Sequence, residues 1–285
     1  MTAASASVGE ALGAAVDALG AAGVDDPRLD AELLLAGASG LDRATLTAEP
    51  DQPLSGGASR AFGLMVRRRL RREPVAYILG RKGFRRIDVE VDRRVLIPRP
   101  ETELLVEVAL QLRPRRVLDV GTGSGAVALA VADELPATEL VATDTSTEAL
   151  AVARINATRV GVADRVRFAP GTLPEAERFD LVLANLPYVS EPEWEQLPPE
   201  IREYEPRTAL VSGPTGLEAI ESLLDGLAAP ADVTGGVAVE VGAGQAEAVA
   251  ELIADAGFDS TEVLRDLAGI ERVVSGARVA EGGGP

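Results

Sequence analysis

Val117-Leu118-Asp119-Val120-Gly121-Thr122-Gly123-Ser124-Gly125 is the stretch that decides the fold. Its first four residues form an apolar run broken by one carboxylate, which reads as a buried strand. Three glycines in the next five positions let the backbone turn sharply and let a ligand approach it closely. Residues 126–135 then continue as an apolar helix. The spacing is G-x-G-x-G rather than the G-x-G-x-x-G of a dinucleotide turn, and the Lys of a phosphate-binding loop is missing. Asp119, just ahead of the glycines, repels a pyrophosphate and suits a cationic ligand or an amine.

Outward from this turn, strand candidates at 139–143, 166–169, 181–184 and 237–241, with a last one near 270–275, alternate with helical patterns. Such alternation predicts an α/β fold, a doubly wound and mostly parallel sheet. The second strand ends at Asp144, where a carboxylate can accept both hydroxyls of a ribose. Thr145-x-x-Glu148 reads as a capping box for the next helix. The combination is typical of S-adenosylmethionine enzymes, with a nicotinamide cofactor as the competing ligand.

A second informative run is Val182-Leu183-Ala184-Asn185-Leu186-Pro187-Tyr188. An apolar strand ends in Asn, and a proline-stiffened turn leads to an aromatic. The Asn185 oxygen can accept one N–H of a planar NH2 group, and the Leu186 carbonyl can accept the other. Pro187 fixes its own φ and biases Leu186 toward an extended backbone. Tyr188 adds a flat face and a hydroxyl. The plainer reading of the same residues is a turn that closes a buried strand.

The chain has 285 residues and is 46% hydrophobic, enough for a substantial core in one or two domains. It has no Cys and no His. That removes thiolate catalysis, the commonest general base and the commonest metal ligand, so a Ser-His-Asp hydrolase and an ordinary zinc site are excluded and no metal is expected. No apolar run reaches the roughly 18–20 residues of a membrane span. The first ten residues lack the features of a signal peptide, so a cytoplasmic location is expected. The net charge is −17, which opposes non-specific nucleic-acid binding. Residues 60–94 run against this trend, with twelve Lys or Arg against four acidic residues. Arg67, Arg68, Arg69, Arg71 and Arg72 at its centre read either as a solvated helix face or as a basic stripe for an acidic partner.

Residues from about 5 to 75 show apolar spacing of the helical kind, as in Val8, Leu12, Ala15, Val16 and Leu19. Four or five helices are predicted. Phe84, Ile87, Val89 and Val91 then predict a short hairpin ending at Val95-Leu96-Ile97. The expected organisation is a helical domain over 1–80, a β-hairpin linker over 81–97, the α/β domain over 98–280 and a floppy tail over 281–285.

At this point the sequence resembles the HemK/PrmC protein-(glutamine-N5) methyltransferases, over nearly the whole chain. Arg72-Glu73-Pro74-Val75-Ala76-Tyr77-Ile78-Leu79-Gly80 and Val95-Leu96-Ile97-Pro98-Arg99-Pro100-Glu101-Thr102-Glu103 carry the likeness most specifically. Glu205-Pro206, Ala209-Leu210 and Gly216-Leu217 are similar to its substrate-side loop. Glu240-x-Gly242-x-Gly244-Gln245 and Asp266-Leu267-Ala268-Gly269-Ile270-x-Arg272 are similar to its closing strands. Three positions depart from the family pattern: Leu186 replaces a Pro, Thr172 stands where an acid near the adenine is common, and Arg86 replaces a hairpin Gly.

The resemblance implies a class I S-adenosylmethionine-dependent methyltransferase with a Rossmann-like seven-stranded sheet. The acceptor it implies is the side-chain amide of the Gln in the Gly-Gly-Gln motif of peptide chain release factors, and S-adenosylhomocysteine is the product. Donor contacts are expected from Asp119, Gly121, Thr122, Gly123, Ser124, Gly125, Asp144, Thr145, Thr172, Leu173 and Asn185. Catalytic and acceptor contacts are expected from Asn185, Leu186, Pro187 and Tyr188, with Arg99, Glu101, Glu205 and Pro206 on the substrate side. A release factor is the expected partner, nucleic acid is disfavoured as substrate, and a monomer is expected. The competing classes are a related amino-group methyltransferase of the same fold, acting on another protein or on the N6 of adenine in nucleic acid, and a non-catalytic S-adenosylmethionine-binding regulator.

Overall fold

The computed structural model describes residues 6–175, 177–227 and 233–278; the expected tail at 281–285 lies outside them. The chain forms two compact units. One runs up to Gly80 and includes Pro198–Tyr204; the other comprises Arg81–Leu197 and the chain from Glu205 onward.

The first unit contains α1 (Val8–Ala21), α2 (Pro27–Ser39), α3 (Arg43–Ala48), α4 (Gly56–Arg69) and α5 (Val75–Leu79). Side chains that satisfy orphan N–H groups set the helix starts. Ser7 and Glu10 form a capping box at α1, while Asp42 caps α3 and Ser55 caps α4. The inward faces supply Leu12, Leu19, Leu34, Leu35, Leu46 and Phe62 to one core.

The basic stretch is neither a free stripe nor a solvated face. Arg69 is buried and pairs with Asp30 at 2.6 Å and with Glu200 at 2.9 Å. Arg72 reaches Glu200 at 2.8 Å. Arg68 is held by Glu73 at 2.7 Å and donates to the carbonyl oxygens of Tyr77 and Ile78. Glu200 comes from the short helix Pro199–Tyr204, whose Tyr204 hydroxyl donates to the Arg71 carbonyl at 2.6 Å. Partners within this unit thus hold three of the five arginines, two of them (Arg69 and Arg72) through residues distant in sequence, and of the five only Arg67 and Arg71 are exposed. Removing one partner of a buried pair strands the other charge. Arg69→Ala is therefore expected to lower stability by about 3 kcal/mol in urea unfolding, while Arg67→Ala stays within about 0.5 kcal/mol.

The second unit opens with an antiparallel hairpin, β1 (Arg81–Phe84) and β2 (Ile87–Glu90). It continues with α6 (Glu103–Leu112), β3 (Arg116–Val120), α7 (Ala126–Glu134), β4 (Glu139–Asp144), α8 (Thr147–Val160), β5 (Val166–Pro170) and β6 (Phe179–Ala184). After α9 (Glu191–Trp194) and α10 (the Pro199–Tyr204 helix of the first unit) come α11 (Glu218–Leu227), β7 (Val233–Glu240), α12 (Ala246–Asp255), β8 (Ser260–Arg265) and β9 (Glu271–Ala277).

The sheet order is β5-β4-β3-β6-β7-β9-β8. The first five strands pair in parallel, and β9 runs antiparallel to both β7 and β8. The central strands read as apolar runs because both faces are covered; residues 181–184 of β6 are all buried. The sequence pattern missed β8. It is an edge strand with mostly exposed side chains, so it carries no buried face to betray it.

The hairpin is not a free linker but is tied to the second unit. Asn156 of α8 accepts from Glu90 N at 2.6 Å and donates to Glu90 O at 3.0 Å. The turn passes through Arg85 at φ 49°. Arg85 is held there by its own N–H on Glu103 at 3.0 Å and by Glu107 and Glu134 around its guanidinium. The expected capping box at Thr145 is also corrected. Ser146 caps α8, accepting from Ala149 N at 3.1 Å, and Glu148 sits one position too early to close a box.

Candidate active site

The sheet changes direction of growth between β3 and β6. Ligands in doubly wound sheets bind outside the carboxyl ends of the strands at such a point. The parallel register places Val120 beside Ala184, so the glycine turn after β3 and the Asn185 turn after β6 emerge side by side. Gly121 takes φ +72°, and a Cβ there would lie 3.0 Å from Leu186 Cδ2. Leu186 is buried and joins the core of this unit. Its side chain therefore matters as well as its carbonyl, which the sequence reading had taken as its only contact.

A cleft of about 400 Å³ opens at these strand ends. Among the expected donor contacts, Gly121, Gly123, Asp144, Thr145, Thr172 and Asn185 line it, and Leu186, Pro187 and Pro206 join them from the expected acceptor side. Asp144 Oδ2 accepts from Gly123 N at 2.9 Å and Oδ1 accepts from Ser146 N at 2.8 Å, so the carboxylate is fixed in orientation. Arg93, Glu148, Gly171 and Ser222 also line the cleft and were not expected there.

Other expected donor contacts lie behind the wall. Asp119 is buried, accepting from the Thr122 hydroxyl at 2.6 Å and from Ala128 N at 3.2 Å. It braces the turn and the start of α7. Burial pushes its carboxyl up to about 6, against the pull of those two donors. Thr122 and Ser124 are buried too. Gly125 is the N-cap residue of α7. Leu173 packs toward α11, where a Cβ on Gly226 would meet it at 2.5 Å.

Asn185 donates through Nδ2 to Thr102 Oγ1 at 3.1 Å. Among the described residues no donor reaches its Oδ1. Tyr188 donates its hydroxyl to Glu240 Oε1 at 3.2 Å, and its carbonyl accepts from Gln245 Nε2 at 3.0 Å. Burial, then the Glu240 charge, raise the Tyr188 hydroxyl well above the usual phenol range. Arg99 and Glu205 form an ion pair with each other, and Glu205 also accepts from Ile97 N at 3.0 Å. Both therefore brace the Ile97–Arg99 segment. Glu101 stands 4.0 Å from Arg272, which is bound to Asp266 at 3.0 Å. Thr102, Glu240, Gln245 and Arg272 were legible only as members of motifs; nothing in the sequence showed that they meet behind Asn185.

Burial also pushes Glu240 up to about 7. A carboxyl whose folded pKa lies above its unfolded value stabilises the fold below the unfolded pKa and loses that contribution as pH rises through the folded one. For Glu240 the window runs from its ordinary 4.5 to about 7. Glu240→Gln is expected to be more stable than wild type at pH 8 by about 3 kcal/mol. The difference should vanish at pH 4.5, and denaturant unfolding at both pH values checks it.

Among the described residues no helix is long and apolar enough to cross a membrane. Residues 10–80 match the PrmC N-terminal domain and residues 100–197 match the methyltransferase small domain. A release factor glutamine methyltransferase from Caulobacter vibrioides is 40% identical over 93% of this chain and 94% of its own. One from Geobacter sulfurreducens is 42% identical over 89% and 90%. Among solved structures, the catalytic domain of hMettl16 bound to an RNA hairpin superposes with TM-score 0.56 at 15% identity, covering 69% of this chain and 77% of its own, which is a likeness of fold. With two relatives matched along almost their full length, this chain belongs to the release factor glutamine methyltransferase family.

Proposed function

We propose that this protein transfers a methyl group from S-adenosylmethionine to the side-chain amide nitrogen of the Gln in a release factor's Gly-Gly-Gln segment, leaving S-adenosylhomocysteine. The observation that carries the reading is Asn185: its nitrogen is tied back to Thr102 while its oxygen is left for an acceptor N–H. The cleft is of cofactor-site size. Gly121 admits backbone approach, and the clamped Asp144 carboxylate offers lone pairs that suit ribose hydroxyls. Gly121, Gly123, Asp144 and Thr172 would hold the donor, which supplies an activated methyl on a sulfonium. The acceptor's place in translation puts the reaction in the cytoplasm.

An amide nitrogen is a poor nucleophile because its lone pair is delocalised into the carbonyl. Asn185 Oδ1 and the Leu186 carbonyl take its two N–H groups and fix the direction of that lone pair, so positioning is the main contribution. The chain has no His, and the spare proton leaves to water after transfer. Tritiated methyl transfer to purified release factor, compared with RNA and DNA, tests the acceptor class; label in nucleic acid alone would reject the reading.

Asp144→Ala is expected to weaken donor binding about 30- to 150-fold, the loss of two charge-assisted hydrogen bonds. It also frees the Gly123 N–H, so part of the loss comes from a loosened turn. Calorimetric titration measures it, and unchanged affinity would remove the ribose role.

A further inference from the structure

We infer that Leu267, at the tip of the β8–β9 hairpin, is a specificity-determining contact that seats in an apolar recess of the acceptor protein beside the segment carrying the Gln. The inference rests on the acceptor reading just given and extends it from the amide to the protein around it. Leu267 stands wholly in solvent, at 110% relative exposure, and Ala268, Gly269 and Ile270 beside it are exposed as well. Arg265 and Glu271, paired at 2.5 Å, flank this apolar tip with a polar rim.

Single exposed apolar side chains are ordinary; two observations set this one apart. The first is that the turn is built to hold it still. Asp266 Oδ1 accepts from Ala268 N and from Ile270 N, both at 2.9 Å, and Asp266 N donates to Ile270 O at 2.9 Å. Gly269 N donates to Asp266 O at 2.9 Å, with Gly269 at φ +81°. From the flanking strands, Arg265 Nη1 donates to Gly269 O at 2.9 Å and Arg272 Nε donates to Asp266 Oδ2 at 3.0 Å. Loop tips are where local disorder usually concentrates. Here the backbone is fixed before any partner arrives, so little ordering entropy is left to lose on docking.

The second observation is the place of the tip. β9 starts beside the carboxyl end of β7: Glu240 pairs with Val273, and Arg272 O accepts from Val241 N at 2.8 Å. Since β6 and β7 are parallel, the tip projects from the same edge of the sheet as the Asn185 turn. Arg272 links the two. It is bound to Asp266 on one side and stands 4.0 Å from Glu101 on the other, and the next residue, Thr102, takes Asn185 Nδ2. A protein whose Gln amide reaches Asn185 brings its own surface over this edge. Leu267 does not line the cleft, so it meets the protein around the Gln and leaves the Gln and the donor to the cleft. Burial of an exposed leucine by that surface supplies affinity that a bare Gly-Gly-Gln segment lacks.

The test is steady-state methyl transfer to intact purified release factor, with KM for the acceptor and kcat resolved and donor affinity measured by calorimetric titration. Leu267→Asp should raise KM on the order of tenfold, the loss of one buried leucine contact, with kcat and donor affinity unmoved. Leu267→Met should restore the wild-type KM, because it keeps an apolar side chain of similar volume. The inference is overturned if Leu267→Asp keeps the wild-type KM, or if its loss appears in kcat or donor affinity instead, as damage to the turn would give. Sedimentation reads the other occupant: a wild-type dimer that Leu267→Asp converts to a monomer assigns the tip to a second copy of this chain and also overturns it. If wild type leaves release factor unlabelled, the acceptor reading fails and takes this one with it; if wild type labels it and Leu267→Asp does so at unchanged KM, only the Leu267 role goes.

Discussion

Asn185→Ala is expected to lower the rate of methyl transfer by about 10²–10³-fold, the size of effect seen when one preorganised hydrogen-bonding group is removed from a reacting centre. Two structural facts set that expectation. The side chain is held at its nitrogen end by Thr102. Its backbone follows a strand whose last four residues are fully buried, so the turn itself should survive the truncation. The loss should therefore fall on turnover, with a much smaller change in donor affinity. Asn185→Asp is the informative companion. It keeps the shape but replaces the donor end, so Thr102 must donate instead of accept. Rapid-quench kinetics at saturating donor separates the chemical step from binding. Near-normal turnover in Asn185→Ala would mean that the acceptor amide is oriented by other groups.

The sequence carried the parallel sheet, the glycine turn and the Asn185 turn because each depends on local chemistry. An apolar run, a glycine requirement and a Pro-fixed turn are written in consecutive residues. The polar layer behind the site was less legible. Thr102, Glu240 and Arg272 come from three distant segments: the register of β7 with β9, which pairs Glu240 with Val273, brings Arg272 near Glu240, and Thr102 reaches Asn185 from ahead of α6. The surroundings of Asp119 and of the arginines were hidden for a related reason. A charged residue next to a glycine turn or in a basic run looks solvent-facing until its buried partner is known. For Arg69 that partner, Glu200, is more than a hundred residues away. The packing of Leu173 against α11 was likewise not legible, because it depends on the absence of a side chain at Gly226.

Gly216→Ala is expected to impair the enzyme nearly as severely as loss of Asn185, although residue 216 lies outside the cleft lining. Gly216 takes φ +84°, a conformation that costs an alanine about 1–2 kcal/mol. An added Cβ would also stand 2.4 Å from the Tyr188 carbonyl oxygen and 3.0 Å from Gln245 Nε2. The atom it meets is backbone, so no rotamer change can make room. That carbonyl is where Gln245 fastens the turn that follows Asn185. Gln245 in turn accepts from Gly242 N at 2.8 Å, which ties the turn to the end of β7. Relief of the overlap must push the turn by a substantial fraction of an ångström, and a misplacement of about 1 Å at a reacting centre costs on the order of 100-fold in rate. Stability should fall as well, by about 2–3 kcal/mol in chemical denaturation. Gly213→Ala is a partial contrast: it shares a positive φ (+57°), but the atoms its Cβ would meet belong to the Glu218 side chain rather than to backbone, and moving them costs the bonds from Thr215 N and Gly216 N. If Gly216→Ala folds normally and retains wild-type turnover, the Tyr188 carbonyl is not a rigid anchor, and the turn holds the acceptor through Asn185 alone.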